Sequence, residues 1–237
     1  MISTIRIKSI ILSILIISVT ISGTFLIKKQ KIRAEETTKT SPSIGYTVVL
    51  DAGHGGIDPG SIGRKTKVTE SELNLIIVKK LEKLLVSGGI DVIKTRKDEN
   101  GLYGVYSRDY KTKDMRARRD IILASNADLM ISIHMNSFID SSNRGAQVFY
   151  TEGNTSAENL ALSIQKCFLN DLPESNKGIA NGEYYILKCA PQIPSVLCEC
   201  GYLSNAEDEK LLIDPDYQER VAYAIYKGVV SYLNFNT

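Results

Sequence analysis

The chain reads as a single α/β domain with a twisted, mostly parallel sheet covered by helices, and three observations predict this. Short apolar, strand-like runs alternate with longer segments whose apolar residues fall at helical spacing, the pattern that builds parallel sheets through helical crossovers. At 237 residues and 43% hydrophobic content, the chain can bury one good core and is too short for two once its N-terminus is set aside. That N-terminus stands apart: Ser9 to Ile27 run for 19 positions without a charge, preceded by Arg6 and Lys8, as in a signal peptide or a membrane-spanning anchor helix.

We expect residues 1–33 to be this signal or anchor segment, 34–45 a flexible linker rich in Thr, Ser and Glu, and 46–237 the folded domain. An uncleaved anchor is the preferred reading, because the apolar run is long for a signal-peptide core and no Ala-x-Ala-like site follows it. Lys28, Lys29, Lys31 and Arg33 follow the run, against the positive-inside tendency, so charge does not fix its orientation.

Tyr46 to Asp51 predicts the first strand. Ser71 to Leu85 predicts a helix, with Leu73, Ile76, Ile77, Leu81, Leu84 and Leu85 at helical spacing, and Ile90 to Thr95 a second strand, which together make a βαβ unit. Lys97 to Lys113 is polar and rich in tyrosine, too long for a plain connector and therefore expected to be a functional loop. Then follow a helix over Met115 to Ser125, strands over Asp128 to His134 and Gln147 to Tyr150, and a helix over Ala157 to Phe168. Strands over Tyr184 to Lys188 and Ser195 to Glu199 precede a closing helix from Tyr217 to Leu233.

Of the 29 basic residues seven precede Tyr46, as do two of the 27 acidic ones, leaving the domain 22 against 25 and a formal charge of −3. With no basic patch and no tryptophan, nucleic-acid binding has no support. Cys167, Cys189, Cys198 and Cys200 show neither metal-site spacing nor the density of a disulfide scaffold, so buried thiols are expected.

The chain has two histidines, each at the end of an apolar strand, in Leu50-Asp51-Ala52-Gly53-His54-Gly55-Gly56 and Ser132-Ile133-His134-Met135-Asn136. A lone histidine is ordinarily a hydrogen-bonded core or surface residue, but two at strand ends of an α/β sheet point to a metal site. Catalytic zinc takes three protein ligands and keeps a fourth position open, so a carboxylate is wanted. Thr69 and Glu72 match a capping box, which gives Glu72 a structural task. Glu70 has none, and on spacing alone is either the third ligand or a solvated charge favoured by the helix dipole. Glu199 interrupts the apolar strand Pro194-Ser195-Val196-Leu197-Cys198-Glu199-Cys200-Gly201. A buried, unpaired carboxylate there would be costly, so it should face a site, on the opposite side of the strand from Cys198 and Cys200.

Four blocks in order, Leu50 to Gly60, Glu70 with its helix, Ser132 to Asn136, and Pro194 to Asn205, resemble the zinc-dependent N-acetylmuramoyl-L-alanine amidases of bacterial cell walls over nearly the whole domain. The resemblance implies a six-stranded sheet flanked by helices, Zn2+ held by His54, Glu70 and His134, and Glu199 as catalytic carboxylate. The bond cut would be the amide between N-acetylmuramic acid and L-alanine of peptidoglycan stem peptides. Asn136 is expected either to orient substrate or to make a structural hydrogen bond, and Arg118 to form a structural ion pair. Two departures stand out: cysteines flank Glu199, and a usually glycine-rich stretch before Glu70 is replaced by Arg64 to Val68, which stiffens that loop.

The Asp98 to Met115 insert, with a short domain behind an N-terminal anchor, resembles the branch acting on spore cortex, where stem-peptide removal precedes muramic-δ-lactam formation and hence germination. A housekeeping or autolytic amidase is the nearest alternative, followed by a peptidoglycan-binding relative without turnover. A zinc carboxypeptidase is disfavoured because no H-E-x-x-H motif is present. An enzyme of this kind acts outside the cytoplasm, so export to the cell envelope is expected. Attachment would be through the N-terminal segment, with an accessory envelope protein as a further expected partner docking on the insert.

Overall fold

The structure is a computed structural model, and it describes residues 44–172 and 175–235. The expected anchor and most of the linker lie outside the described residues. Among the described residues no helix is long and apolar enough to cross a membrane.

The described elements are β1 (Thr47–Ala52), α1 (Glu70–Ser87), β2 (Asp91–Lys94), α2 (Tyr110–Ala124), β3 (Leu129–Asn136), β4 (Gln147–Tyr150), α3 (Thr155–Asp171), β5 (Ala180–Asn181), α4 (Tyr185–Lys188), β6 (Ser195–Tyr202), α5 (Ala206–Leu212) and α6 (Pro215–Phe235). One six-stranded sheet has the order β2-β1-β3-β6-β4-β5. All neighbours are parallel except β4 with β6, so the expected mostly parallel sheet is present.

Side-chain alternation divides the core. Val48, Leu50, Ile131, Ile133, Cys198 and Cys200 join α1, α3 and α6 on one face. Val49, Met130 and Leu197 meet Ile122 of α2 and Ile186 of α4 on the other. The central strands are therefore buried on both faces, which is why β6 is buried at all eight positions and reads in sequence as a mostly apolar run broken by Glu199.

The first crossover leads from β1 to β2 on one side, and the second returns past β1 to β3 on its other side. That reversal opens a crevice beyond the carboxyl ends of β1 and β3, where ligands bind in sheets of this type. Both histidines lie there.

Two expectations need correction. Tyr184 to Lys188 is not a strand: Tyr185–Lys188 is one helical turn and the edge strand is Ala180–Asn181. The apolar run Tyr184-Tyr185-Ile186-Leu187 is equally served by a short turn that buries Ile186 and Leu187 against the α2 face. Helix α2 begins at Tyr110 rather than Met115, and α5 was not foreseen, its seven residues being too few to show a period. The capping box is as expected, with Glu72 N donating to Thr69 Oγ1 and Thr69 N donating to Glu72 Oε2.

Candidate metal centre and a separate buried carboxylate

β1 ends in a backbone segment whose carbonyls are all held by side chains. Arg96 Nε and Arg118 Nη1 donate to Ala52 O, Asn74 Nδ2 and Arg96 Nη2 to Gly53 O, and Arg118 Nη2 to His54 O. His54 sits in the left-handed region at φ 62°, a conformation costly for a residue with a Cβ and kept only where the surroundings impose it. The guanidinium and amide groups around it impose it.

Arg118 is 1% exposed and anchors this cluster. It pairs with Asp51 (2.6 Å) and Asp114, and Asp51 also accepts from Thr95 and Ser132, at 2.6 Å each. Burial works against the Asp51 carboxylate, but Arg118 and the two hydroxyls outweigh it and hold its pKa at about 2. The structural ion pair expected of Arg118 is present, with the addition that it grips the backbone of His54.

His54 Nδ1 lies 2.9 Å from Asp58 Oδ2. A carboxylate only accepts, so this bond fixes the proton on Nδ1 and frees Nε2, which lies 3.2 Å from Glu70 Oε1. Asp58 falls within the Leu50 to Gly60 block, and its place four residues after His54 in a glycine-rich turn is the signal in the sequence for this role. Burial lowers the His54 pKa, but Glu70 and Asp58 more than offset this and raise it to about 9.

Glu70 opens α1 and is 3% exposed. Its Oε1 lies 2.8 Å from His134 Nδ1 and accepts from Met135 N, while Oε2 accepts from Ser61 N at 2.8 Å. Hydrogen bonds and charge from both histidines overcome the burial penalty and depress its pKa strongly. The solvated-charge alternative for Glu70 does not describe this environment. The loop before it is held at a distance by α5, where buried Glu209 accepts from Lys65 N, Thr66 N and the Thr66 hydroxyl.

Two glycines make room for the cluster. A Cβ at Gly53 would enter the His134 ring, and one at Gly60, which also has φ 66°, would meet Glu70 Oε2 and His54 Cδ2.

The side-chain atoms through which His54, Glu70 and His134 could hold a metal ion all lie within 4.8 Å of one another. Donor atoms on one tetrahedral zinc, at bond lengths of about 2.0–2.1 Å, stand about 3.3 Å apart, and the Glu70 contacts of 3.2 and 2.8 Å come close to that. Two imidazoles and a carboxylate are a donor set suited to such an ion.

Glu199 is of a different kind. In the β3–β6 register it stands opposite His134, it is 7% exposed, and its buried Oε2 has no hydrogen-bond partner among the described residues. Burial raises its pKa to about 7, with His134 and His54 pulling down and Glu70 pushing up. Cys198 and Cys200 lie on the opposite face, inside the core, as alternation predicts; all four cysteines are free.

An open groove is lined by His54, Glu70, His134, Asn136 and Glu199. Asn136 Oδ1 accepts from Ser137 N at 2.8 Å, so this side chain makes a local bond at the groove wall.

A model of the N-acetylmuramoyl-L-alanine amidase family matches residues 48–231. The chain is 34% identical over 194 residues to the germination-specific N-acetylmuramoyl-L-alanine amidase of Bacillus subtilis, covering 81% of each protein. It is 32% identical to the amidase LytC of the same organism, over 81% of this chain and 36% of that longer protein. The CwlD amidase of Clostridioides difficile, solved in complex with the GerS lipoprotein, superposes with a TM-score of 0.76 at 39% identity, covering 81% of this chain and all of that one. The catalytic domain of CwlV from Bacillus (Paenibacillus) polymyxa gives 0.69 at 31% identity, over 80% and 98%. The chain belongs to the N-acetylmuramoyl-L-alanine amidase family, enzymes that hydrolyse peptidoglycan.

Proposed function

We propose that the amidase is zinc-dependent, with His54, Glu70 and His134 as ligands and Glu199 as the catalytic carboxylate, and that it acts in spore cortex maturation. The observation carrying the chemistry is the division of labour between two buried carboxylates in one groove: Glu70 bonded to both histidines, Glu199 with an unpartnered oxygen.

Zinc, when bound, supplies a Lewis acid that polarises the scissile carbonyl and makes water acidic enough to attack near neutral pH. Glu199 accepts the proton from the attacking water and delivers it to the departing nitrogen of L-alanine. Burial raises the proton affinity of Glu199 above that of an ordinary carboxylate, which suits a group that must both take and give a proton. Asp58 holds the His54 ring in the tautomer that leaves Nε2 free. Asn136 lines the groove and offers its amide nitrogen to the substrate.

The cortex assignment is supported by likeness to the germination-specific amidase and to CwlD. Stem-peptide removal there would expose muramic acid for muramic-δ-lactam formation. Similarity to LytC favours the second reading, a housekeeping or autolytic amidase. The domain's formal charge of −3 gives little attraction to anionic wall polymers. Recruitment then falls to the Ser9 to Ile27 segment as a membrane anchor outside the cytoplasm, and to an accessory envelope protein. The complex of CwlD with a lipoprotein supports such a partner, and the outer side of the insert, where Val105 is 89% and Tyr106 65% exposed, is the proposed docking surface.

Mass spectrometry of cortex and vegetative peptidoglycan digested in parallel tests the assignment. Muramic acid freed of its stem peptide, preferentially from cortex, is expected. Equal release from both would favour the housekeeping reading, and a shortened stem peptide would remove the amidase mechanism.

A further inference from the structure

Beside the open groove lies a second, more enclosed pocket of about 260 Å³, lined by His54 and His134 together with Tyr103, Tyr110, Met115, Tyr184, Tyr185 and Ile186. The two spaces share His54, Asp58, Lys111, His134, Tyr184 and Leu197, so the histidines stand at their junction. A substrate whose scissile carbonyl is at that junction must send one arm into each.

The two arms differ in charge. After L-alanine, a stem peptide carries ionised carboxylate and amine groups, whereas N-acetylmuramic acid in amide linkage is neutral, since its only carboxyl is the one amidated. The pocket suits the neutral arm. Its charged residues Asp51, Asp114 and Arg118 are already paired with one another, and Lys111 at the rim lies 3.6 Å from Asp58. Unpaired charge placed against such walls would lose its hydration without compensation. The open groove instead adds Ser61, Asn136 and Ser137, groups able to meet a polar, charged chain.

Aromatic faces favour one kind of neutral group. A pyranose presents a face of C–H bonds whose partial positive charge meets the electron-rich face of a ring, while its hydroxyls stay in water. Tyr103 and Tyr110 pack edge to face at 5.6 Å, and the Tyr103 hydroxyl accepts from Ile57 N at 3.0 Å, which ties the insert to the loop carrying His54. The insert thus forms one wall of the pocket.

Resting on the amidase reading above, we propose that this tyrosine-lined pocket is the subsite for the muramic acid ring, with the stem peptide lying in the open groove. The insert is then a specificity element for the glycan side of the bond.

The test compares two substrates sharing one stem peptide: a muramoyl-peptide, and the D-lactoyl-peptide that keeps the scissile amide but lacks the sugar. Wild type should prefer the muramoyl substrate in kcat/KM. In Tyr110→Ala and Tyr185→Ala that preference should fall by about tenfold, carried by KM, and Tyr110→Phe and Tyr185→Phe should restore it. Equal losses on both substrates, or Phe variants as impaired as Ala, would overturn the proposal. Wild type inert on both substrates would instead overturn the amidase reading beneath it. Should the Ala variants not fold, methyl N-acetyl-β-glucosaminide titrated into wild type supplies the answer by NMR. Tyrosine ring resonances of the pocket should shift, and shifts confined elsewhere, or none, would refute the subsite.

Discussion

The end of β1 and the end of β6 lie on one groove and are built in opposite ways. At the β1 end every carbonyl from Ala52 to His54 is gripped by Arg96, Arg118 or Asn74, and His54 and Glu70 are bonded on both sides. At the β6 end Glu199 is also buried, yet one of its oxygens has no hydrogen-bond partner among the described residues. The first region is organised to hold a geometry, and the second leaves a carboxylate oxygen free, as the proton-carrying role proposed for Glu199 requires. Metal ligands gain from hydrogen bonds that fix ring orientation, whereas the same bonds to a general base would stabilise its anion and lower its proton affinity below the useful range.

The most severe way to break the comparison is Arg118→Met. It would strand Asp51 as a buried unpaired carboxylate and release the His54 carbonyl, and loss of one partner of a buried pair costs on the order of 3–5 kcal/mol. Chemical denaturation should show a loss of that size, together with weakened zinc binding. A variant of wild-type stability would mean that the β1 end is not held as described.

A milder change sharpens it. Asp58→Asn should lower zinc affinity about 10- to 100-fold while the protein stays folded, as measured by competition with a chelator. In the metal-free protein His54 has a pKa of about 9, so zinc must displace a proton at neutral pH. Affinity should therefore rise with pH up to 9, by as much as about tenfold per unit. Removing Asp58 lowers the His54 pKa, so the rise should end at lower pH in the variant. An unchanged pH dependence would exclude Asp58 as the partner that matters.

The smallest effect concerns stability at the β6 end. Folding raises the Glu199 pKa from 4.5 to about 7, so in the metal-free protein the stability it allows is full below 4.5 and is lost as pH rises through 7. Glu199→Gln cannot ionise, and should stabilise the metal-free fold above pH 7 by about 1–3 kcal/mol with little effect at pH 4. Thermal melts at the two pH values check this. Destabilisation at both would show that Glu199 has a structural partner.

What the sequence revealed follows the same divide. Strands buried on both faces and long amphipathic helices carry strong periodic signals, so β1, β3, β6, α1, α3 and α6 were legible. The sheet edge was not: β5 has two residues and α4 four, too short for any period, and Tyr184 to Lys188 fits turn and strand alike. In the site, His54 and His134 were conspicuous as the two histidines of the sequence, each at the end of an apolar strand, and Glu199 because it interrupts one. The capping box gives Glu72 a structural task but leaves Glu70 open between ligand and solvated charge, and only the family resemblance favours Glu70 as a ligand. Arg96 and Asn74 escaped because their roles arise from contacts across the fold, and Asp58 because a carboxylate four residues beyond a histidine in a turn is common without any such bond. Arg96 and Ala52, for example, are brought together only by the β1–β2 pairing.

The proposed division of labour gives the metal to one buried carboxylate and the proton to the other. Zinc content and turnover of muramoyl-peptide, measured together for Glu70→Gln and Glu199→Gln, test it most directly. Glu199→Gln should retain about one zinc per chain while kcat falls at least about a hundredfold, and Glu70→Gln should lose zinc and activity together. Zinc lost from Glu199→Gln, or kept at full level in Glu70→Gln, would contradict the assignment.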